Sequence, residues 1–130
     1  MVEKAVRDLM KPRPWTIDAS LSIQDAAHLM RVRDVSEVLV TDDGELRGKL
    51  ADHHIIVLAI ASGRHPSTVL AGESCVLDIP TVAADISCGQ ALDHMRRHGV
   101  GNLPVVDDRR IVGTVWMADL AVACDRYSRV

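Results

Sequence analysis

The chain contains 130 residues, carries a formal net charge of −3, and is 48% hydrophobic but only 2% aromatic. This length is enough for one compact domain or for two small units. The scarcity of aromatic rings for base stacking and of excess positive charge for phosphates argues against nucleic acid as a partner. No signal peptide is evident, and the longest apolar run, residues 55–61, is far too short to cross a bilayer. We therefore expect a cytoplasmic protein with no membrane partner.

The first half of the chain predicts a leading helix and then a strand, a helix, two strands and a helix. The leading helix is predicted at residues 2–10, before Pro12 and Pro14. Ser22-x-x-Asp25 resembles a capping box, which marks the start of the next helix. The remaining elements predicted from apolar spacing are strands at 16–17, 38–40 and 46–50 and a helix at about 52–61.

The second half repeats this order at a constant offset of 65 residues, as from Thr16 to Thr81. Ser87-x-x-Gln90 again resembles a capping box, and strands at 103–106 and 111–116 precede a helix at about 117–125. A gapless repeat of this length predicts two copies of one supersecondary unit. Identical pairs include Ala19/Ala84, Ser22/Ser87, Ala26/Ala91, Met30/Met95, Val40/Val105, Gly48/Gly113 and Val57/Val122.

The second repeat contains the run Gly99-Val100-Gly101-Asn102-Leu103-Pro104-Val105-Val106-Asp107, followed by Ile111-Val112-Gly113. This run resembles the pattern of the CBS domain, in which the end of a helix is followed by Leu-Pro-Val-Val-Asp and then by a strand. The resemblance covers essentially the whole chain and is looser in the first repeat, where Leu39 replaces the proline. It implies a mixed α/β (α+β) fold of two β-α-β-β-α CBS repeats packed with pseudo-twofold symmetry. We expect the first repeat, with the leading helix, at residues 1–66 and the second at 67–130.

In that family, clefts between the repeats often hold adenine nucleotides. The family's binding motif is a glycine, two residues, Ser or Thr, two residues and Asp. The second repeat keeps the aspartate at Asp119, whereas Trp116 replaces the hydroxyl residue. The first repeat has Ala51 and His54 at the two positions. Both repeats have lost the phosphate-binding hydroxyl, and only the second keeps the aspartate. We therefore expect one nucleotide site that uses Asp119 rather than two equivalent sites.

The resemblance implies that AMP, ADP or ATP binds in the cleft between the repeats. Asp119 would hold the ribose, Thr81 and Val82 would border the base, and Trp116 would stack on a ring or fill the cleft. The residues expected to bind the ligand are Thr81, Val82, Leu103, Pro104, Trp116, Asp119 and His54.

The chain shows no nucleophile–base arrangement, phosphate loop or dinucleotide fingerprint, so we expect neither an enzyme nor a required cofactor. We expect a stand-alone regulatory module that forms a homodimer and acts on a protein partner in trans. One open alternative is a ligand-free structural, dimerising or docking module. A second is a metal or redox sensor that uses the histidines and Cys88. His94 and His98 have a spacing that suits a metal but lack a third ligand, so no metal site is predicted.

Overall fold

The computed structural model describes the backbone of residues 4–128 and the side chains of residues 4–124. Its helices are α1 (Val6–Leu9), α2 (Ile23–Arg33), α3 (Asp52–Ser62), α4 (Ala71–Ser74), α5 (Cys88–His98) and α6 (Met117–Ser128), with a 3₁₀ turn at Pro66–Thr68. Its strands are β1 (Lys11–Pro12), β2 (Thr16–Asp18), β3 (Glu37–Asp42), β4 (Glu45–Ala51), β5 (Val82–Ala83), β6 (Asn102–Asp107) and β7 (Arg110–Trp116). The mixed α/β class is confirmed. None of the helices described here is long and apolar enough to cross a membrane.

The chain divides into two units, Trp15–Ile79 and a second that joins Pro80–Val130 with Met1–Pro14. In the Trp15–Ile79 unit, β2 is parallel to β3, and β3 is antiparallel to β4. Its core includes Ile23, Val40 and Leu50, all of them fully buried. Burial of these branched side chains between the helices and the sheet is the main favourable term that holds the unit together.

The second unit reproduces the strand pairing of the first at the offset of the sequence repeat. β5 is parallel to β6, and β6 is antiparallel to β7. The pair Glu37↔Ala51 in one unit corresponds to Asn102↔Trp116 in the other. Even the register irregularity recurs, after Val40 in β3 and after Val105 in β6. The predicted β-α-β-β-α order is therefore confirmed in each unit.

The two capping boxes predicted for α2 and α5 are present. Ser22 Oγ accepts a hydrogen bond from the Asp25 N–H at 3.1 Å, and Ser87 Oγ accepts one from the Gln90 N–H at 3.2 Å. Each bond satisfies a first-turn donor that has no intrahelical acceptor. Because each helix also carries small or apolar residues at helical spacing, local sequence alone accounts for where both helices begin.

The leading helix is placed differently from the sequence prediction. α1 spans only Val6–Leu9, whereas the sequence predicts a helix over residues 2–10, and it packs with the second repeat. The Val6 N–H donates to the Ile86 carbonyl oxygen at 2.9 Å. The equivalent donation in the other unit runs from the Ala71 N–H to the Leu21 carbonyl oxygen at 2.7 Å. The segment that precedes each repeat thus packs against the other repeat. Residues 2–3 of the predicted leading helix lie outside the described residues.

The motif glycines, Gly48 and Gly113, make room for these leading segments. β1 pairs with β7, and an added Cβ at Gly113 would lie 2.8 Å from the Lys11 carbonyl oxygen. In the other unit, an added Cβ at Gly48 would collide with the Val76 carbonyl oxygen. Both glycines are therefore required by backbone packing, whatever their relation to a ligand.

Candidate functional site

The junction between β7 and α6 is built from both strands of a hairpin. β7 ends at Trp116, which pairs across the hairpin with Asn102 at the start of β6. The Met117 N–H then donates to the Gly101 carbonyl oxygen at 2.8 Å, which anchors the first turn of α6 to the beginning of β6. Other N–H groups in the first turn of a helix lack intrahelical acceptors and favour negative charge. This junction therefore has the local chemistry of an anion-binding helix start.

Asp119 is the third residue of α6 and is exposed. Its carboxylate makes no hydrogen bond or ion pair with any residue whose side chain the structure describes. A carboxylate offers two oxygens that can accept from neighbouring hydroxyl groups, as on a ribose. The Asp119 carboxylate is thus available to a ligand.

Trp116 is the last residue of β7, three positions before Asp119, and 42% of its surface is exposed. The Nζ of Lys11 lies 6.0 Å from the centroid of its ring, within the range of a cation–π contact. The ring is not a member of the apolar core of its own unit. Trp116 carries no hydroxyl group, but its ring can stack on a base, and Lys11 supplies a positive charge nearby.

Lys11 was missed by the sequence interpretation. It lies on β1, and the sequence alone placed that segment with the first repeat. The repeat offset of 65 residues relates Lys11 to Val76 and Lys49 to Thr114. The Lys11–Thr114 pair is therefore the counterpart of the Val76–Lys49 pair in the other unit, and this correspondence could have indicated the position of Lys11.

The other residues expected around the base fall into two groups. Val82 and Leu103 are 5% and 0% exposed and belong to the core of their unit. Their side chains, like that of buried Pro104, are therefore not available to line a ligand, although their backbones border the sheet end. Thr81 is half-buried and immediately precedes β5, which pairs with β6. Of this group, only the Thr81 side chain retains access.

His94 lies on α5, and the Thr81 backbone is among the groups that act on the pKa of its ring. Burial, followed by the charges of His98 and Arg97, lowers the pKa of His94, and these effects outweigh the raising effects of Asp93 and of Thr81. The His94 and His98 rings lie with their centroids 4.3 Å apart. Over the described residues, no three His, Cys, Asp or Glu side chains form a group that could hold a metal ion.

His54 occupies, in the Trp15–Ile79 unit, the position equivalent to Asp119. Its Nδ1 accepts a hydrogen bond from the Ala51 N–H at 3.3 Å, so the ring caps its own helix. Burial lowers the pKa of His54, with further lowering by the positive charges of His53 and Lys49. A histidine with its pKa below the usual value is neutral near pH 7. His54 therefore offers neither the carboxylate of Asp119 nor a positive charge for a phosphate near pH 7.

The comparisons with known proteins agree with this architecture. The family model for the CBS domain matches residues 6–60 and 75–124. Hypoxic response protein 1 of Mycobacterium tuberculosis is 34% identical over 88% of this chain and 81% of its own length. The CBS domain-containing protein YhcV of Bacillus subtilis is 32% identical over 91% of this chain and 84% of its own.

Two solved structures show the same fold. The crystal structure of Hypoxic Response Protein I with two coordinated zinc ions superposes with a TM-score of 0.78, at 32% identity, over 92% of this chain and 98% of that one. CBSX2 in complex with AMP superposes with a TM-score of 0.77, over 96% of this chain and 98% of that one, and at 23% identity it supports the fold alone.

Proposed function

Because this chain belongs to the CBS-domain family, we propose that it is a non-catalytic regulatory module that binds an adenine nucleotide at the start of α6. The observation that carries the proposal is the exposed carboxylate of Asp119, which has no partner among the described side chains, three positions after the exposed ring of Trp116. A structure with the same fold was obtained in complex with AMP, so the fold itself can hold an adenine nucleotide.

In the proposed complex, Asp119 accepts hydrogen bonds from the two ribose hydroxyl groups. The indole of Trp116 stacks against a ring of the nucleotide, and the Lys11 ammonium group, close to that indole, partly neutralises the phosphate charge. Thr81 borders the base. Trp116 and Thr81 thereby match the adenine, Asp119 the ribose and Lys11 the phosphate, all on the same unit.

The proposal assigns one nucleotide to each chain. His54, at the position equivalent to Asp119, is already engaged with Ala51 and is neutral near pH 7. Ala51, at the position equivalent to Trp116, is buried and carries neither a ring nor a hydroxyl. The Trp15–Ile79 unit therefore lacks the groups that support the site at α6.

Isothermal titration calorimetry with AMP, ADP and ATP tests the proposal. Asp119→Ala should weaken binding at least tenfold, since the loss of a charge-assisted hydrogen bond is worth about 1.5–3 kcal/mol. His54→Ala is the matched control at the equivalent position and should leave affinity unchanged. No binding of any of the three nucleotides to the unmodified protein, or equal affinity in Asp119→Ala, would count against this function.

Regulation follows if the nucleotide binds one conformation of the module better than another. Differential affinity of this kind shifts the population of conformations, and a protein partner in trans would respond to the favoured one. We propose that output is transmitted in this way, through a partner protein.

A second candidate function, self-association, is favoured by the exposed apolar face of α3. Ile56, Val57 and Ile60 are 57%, 60% and 77% exposed. No charged residue follows His54 in this helix, so the face carries no charge pattern that would specify a foreign partner. An uncharged face of this kind fits an identical face on a second copy of the chain.

Sedimentation or light scattering across a range of protein concentrations tests self-association. A dimer that Ile60→Asp converts to a monomer would support the face as the contact. A monomer at all concentrations, or a dimer that persists in this variant, would exclude it.

A further inference from the structure

Two of the three cysteines lie side by side in the unit that carries Asp119. The Sγ atoms of Cys88 and Cys124 are 2.7 Å apart, although 36 positions separate the residues in the sequence. A disulfide bond is about 2.05 Å long, so the two sulfur atoms need to approach by only about 0.6 Å to bond. Cys88 is the first residue of α5 and Cys124 lies in α6, so the bond would join two helices.

The two thiols differ in their access to solvent. Cys88 is 0% exposed, whereas Cys124 is partly exposed. A dissolved oxidant therefore reaches Cys124 first, with Cys88 next to it. This pairing of an accessible thiol with a buried neighbour is the arrangement in which a sulfenic acid is rapidly resolved to a disulfide.

We propose that Cys88 and Cys124 are a reversible redox site that closes to an intramolecular disulfide when the protein meets a peroxide. The Cys124 thiolate attacks one peroxide oxygen, the O–O bond breaks, and a sulfenic acid and water are formed. The Cys88 thiol then attacks that sulfur, the S–S bond forms, and the hydroxyl group leaves as a second water. Two thiols are oxidised and one peroxide is reduced, and a dithiol reductant reverses the reaction.

Cys75 is not part of this site. It is 9% exposed in the other unit, and its Sγ contacts the Gly72 carbonyl oxygen at 3.8 Å. It therefore provides an internal reference thiol within the same chain.

Closing the bond would link the ligand site to the redox state. α6 carries Asp119 in its first turn and Cys124 further along, and α5 carries Cys88 at its start. The disulfide would link α5 and α6 covalently. The formation of the bond itself does not depend on whether a nucleotide binds.

The test begins with the reduced, full-length protein treated with a small excess of hydrogen peroxide. Thiol counting under denaturing conditions should fall from three to one, and the intact mass should decrease by about 2 Da. Dithiothreitol should restore all three thiols. Cys75→Ser should still lose two thiols, whereas Cys124→Ser should form no internal disulfide.

Peptide mapping identifies the bond in the unmodified sequence, so the test does not rely on a variant that could fold poorly. Trypsin leaves Cys75 and Cys88 on one peptide, whereas cleavage before aspartate separates them on fragments 52–77 and 85–92. Linkage of fragment 85–92 to fragment 119–124 is the expected result. Three unchanged thiols, a disulfide that involves Cys75, sulfinic acid at Cys124 as the main product, or disulfide-linked dimers would each overturn the proposal.

Discussion

The carbonyl oxygen of Lys11 lies against Gly113, at 2.8 Å from the point where a Cβ would stand. This contact exists because β1, from the leading segment, pairs with β7 of the second repeat. The same strand brings the Lys11 ammonium group over the ring of Trp116. One glycine thus allows a distant segment to contribute a cation to the candidate site.

Replacing Gly113 by alanine should therefore destabilise the protein by about 1–3 kcal/mol, because the added methyl group forces the backbone of β1 to move. Gly101→Ala is the matched control, since an added Cβ there meets no atom within 4 Å. Urea denaturation monitored by circular dichroism provides the comparison. Equal stability of the two variants would show that the contact is not tight.

Replacing Trp116 by alanine should weaken AMP binding about fivefold or more, because stacking on an aromatic ring is worth roughly 1–3 kcal/mol per base. Trp15→Ala is a matched control in the other unit. Like Trp116, Trp15 is partly exposed, at 43%, and a cationic side chain, that of Arg33, lies 4.4 Å from its ring centroid. Calorimetric titration of both variants gives the affinities. A larger loss of affinity in Trp15→Ala would place the nucleotide elsewhere.

The stability of the protein should decrease in mild acid through His54. Its pKa is lowered below 6.5, mainly by burial, so the unfolded chain binds the proton more tightly. The stabilising contribution is complete above about pH 6.5 and is lost as the pH falls through the lowered pKa. Protonation also removes the Nδ1 lone pair that accepts the Ala51 N–H.

Melting temperatures between about pH 7.5 and pH 5 test this effect. His54→Gln should show a smaller decrease than the unmodified protein, because the amide does not titrate and its oxygen can still accept the Ala51 N–H. His28→Gln, on the exposed surface of α2, should retain the full decrease. The prediction fails if His54→Gln loses stability with acid as steeply as the unmodified protein.

The oxidised protein should be more stable than the reduced one by roughly 3–4 kcal/mol, because a disulfide that closes a loop of this length restricts the unfolded chain. Urea denaturation with and without dithiothreitol measures the difference. In Cys124→Ser the reductant should have no effect. An oxidised protein that is less stable than the reduced one would mean that closing the bond distorts α5 and α6.

The sequence by itself determined the β-α-β-β-α order of each repeat and the family. The offset that matches Ser22 to Ser87 recurs in both capping boxes and in the pairing of β3 with β4 and of β6 with β7. These features depend on short-range spacing, and side-chain periodicity and capping chemistry act over a few residues. For the same reason, the motif around Asp119 could be recognised without a structure.

Only the tertiary structure decided against which repeat each leading segment packs. That packing in turn decided which residues surround the candidate site. Spacing along the chain does not reveal that Val6 donates to Ile86, because the partner of an edge segment is chosen by long-range hydrogen bonding and burial. The sequence therefore did not predict that Lys11 lies close to Trp116. It also did not predict that the side chains of Val82 and Leu103 are buried in the core, or that His54 caps its own helix. The proximity of Cys88 to Cys124 has the same origin, since two helices must pack before their thiols can meet.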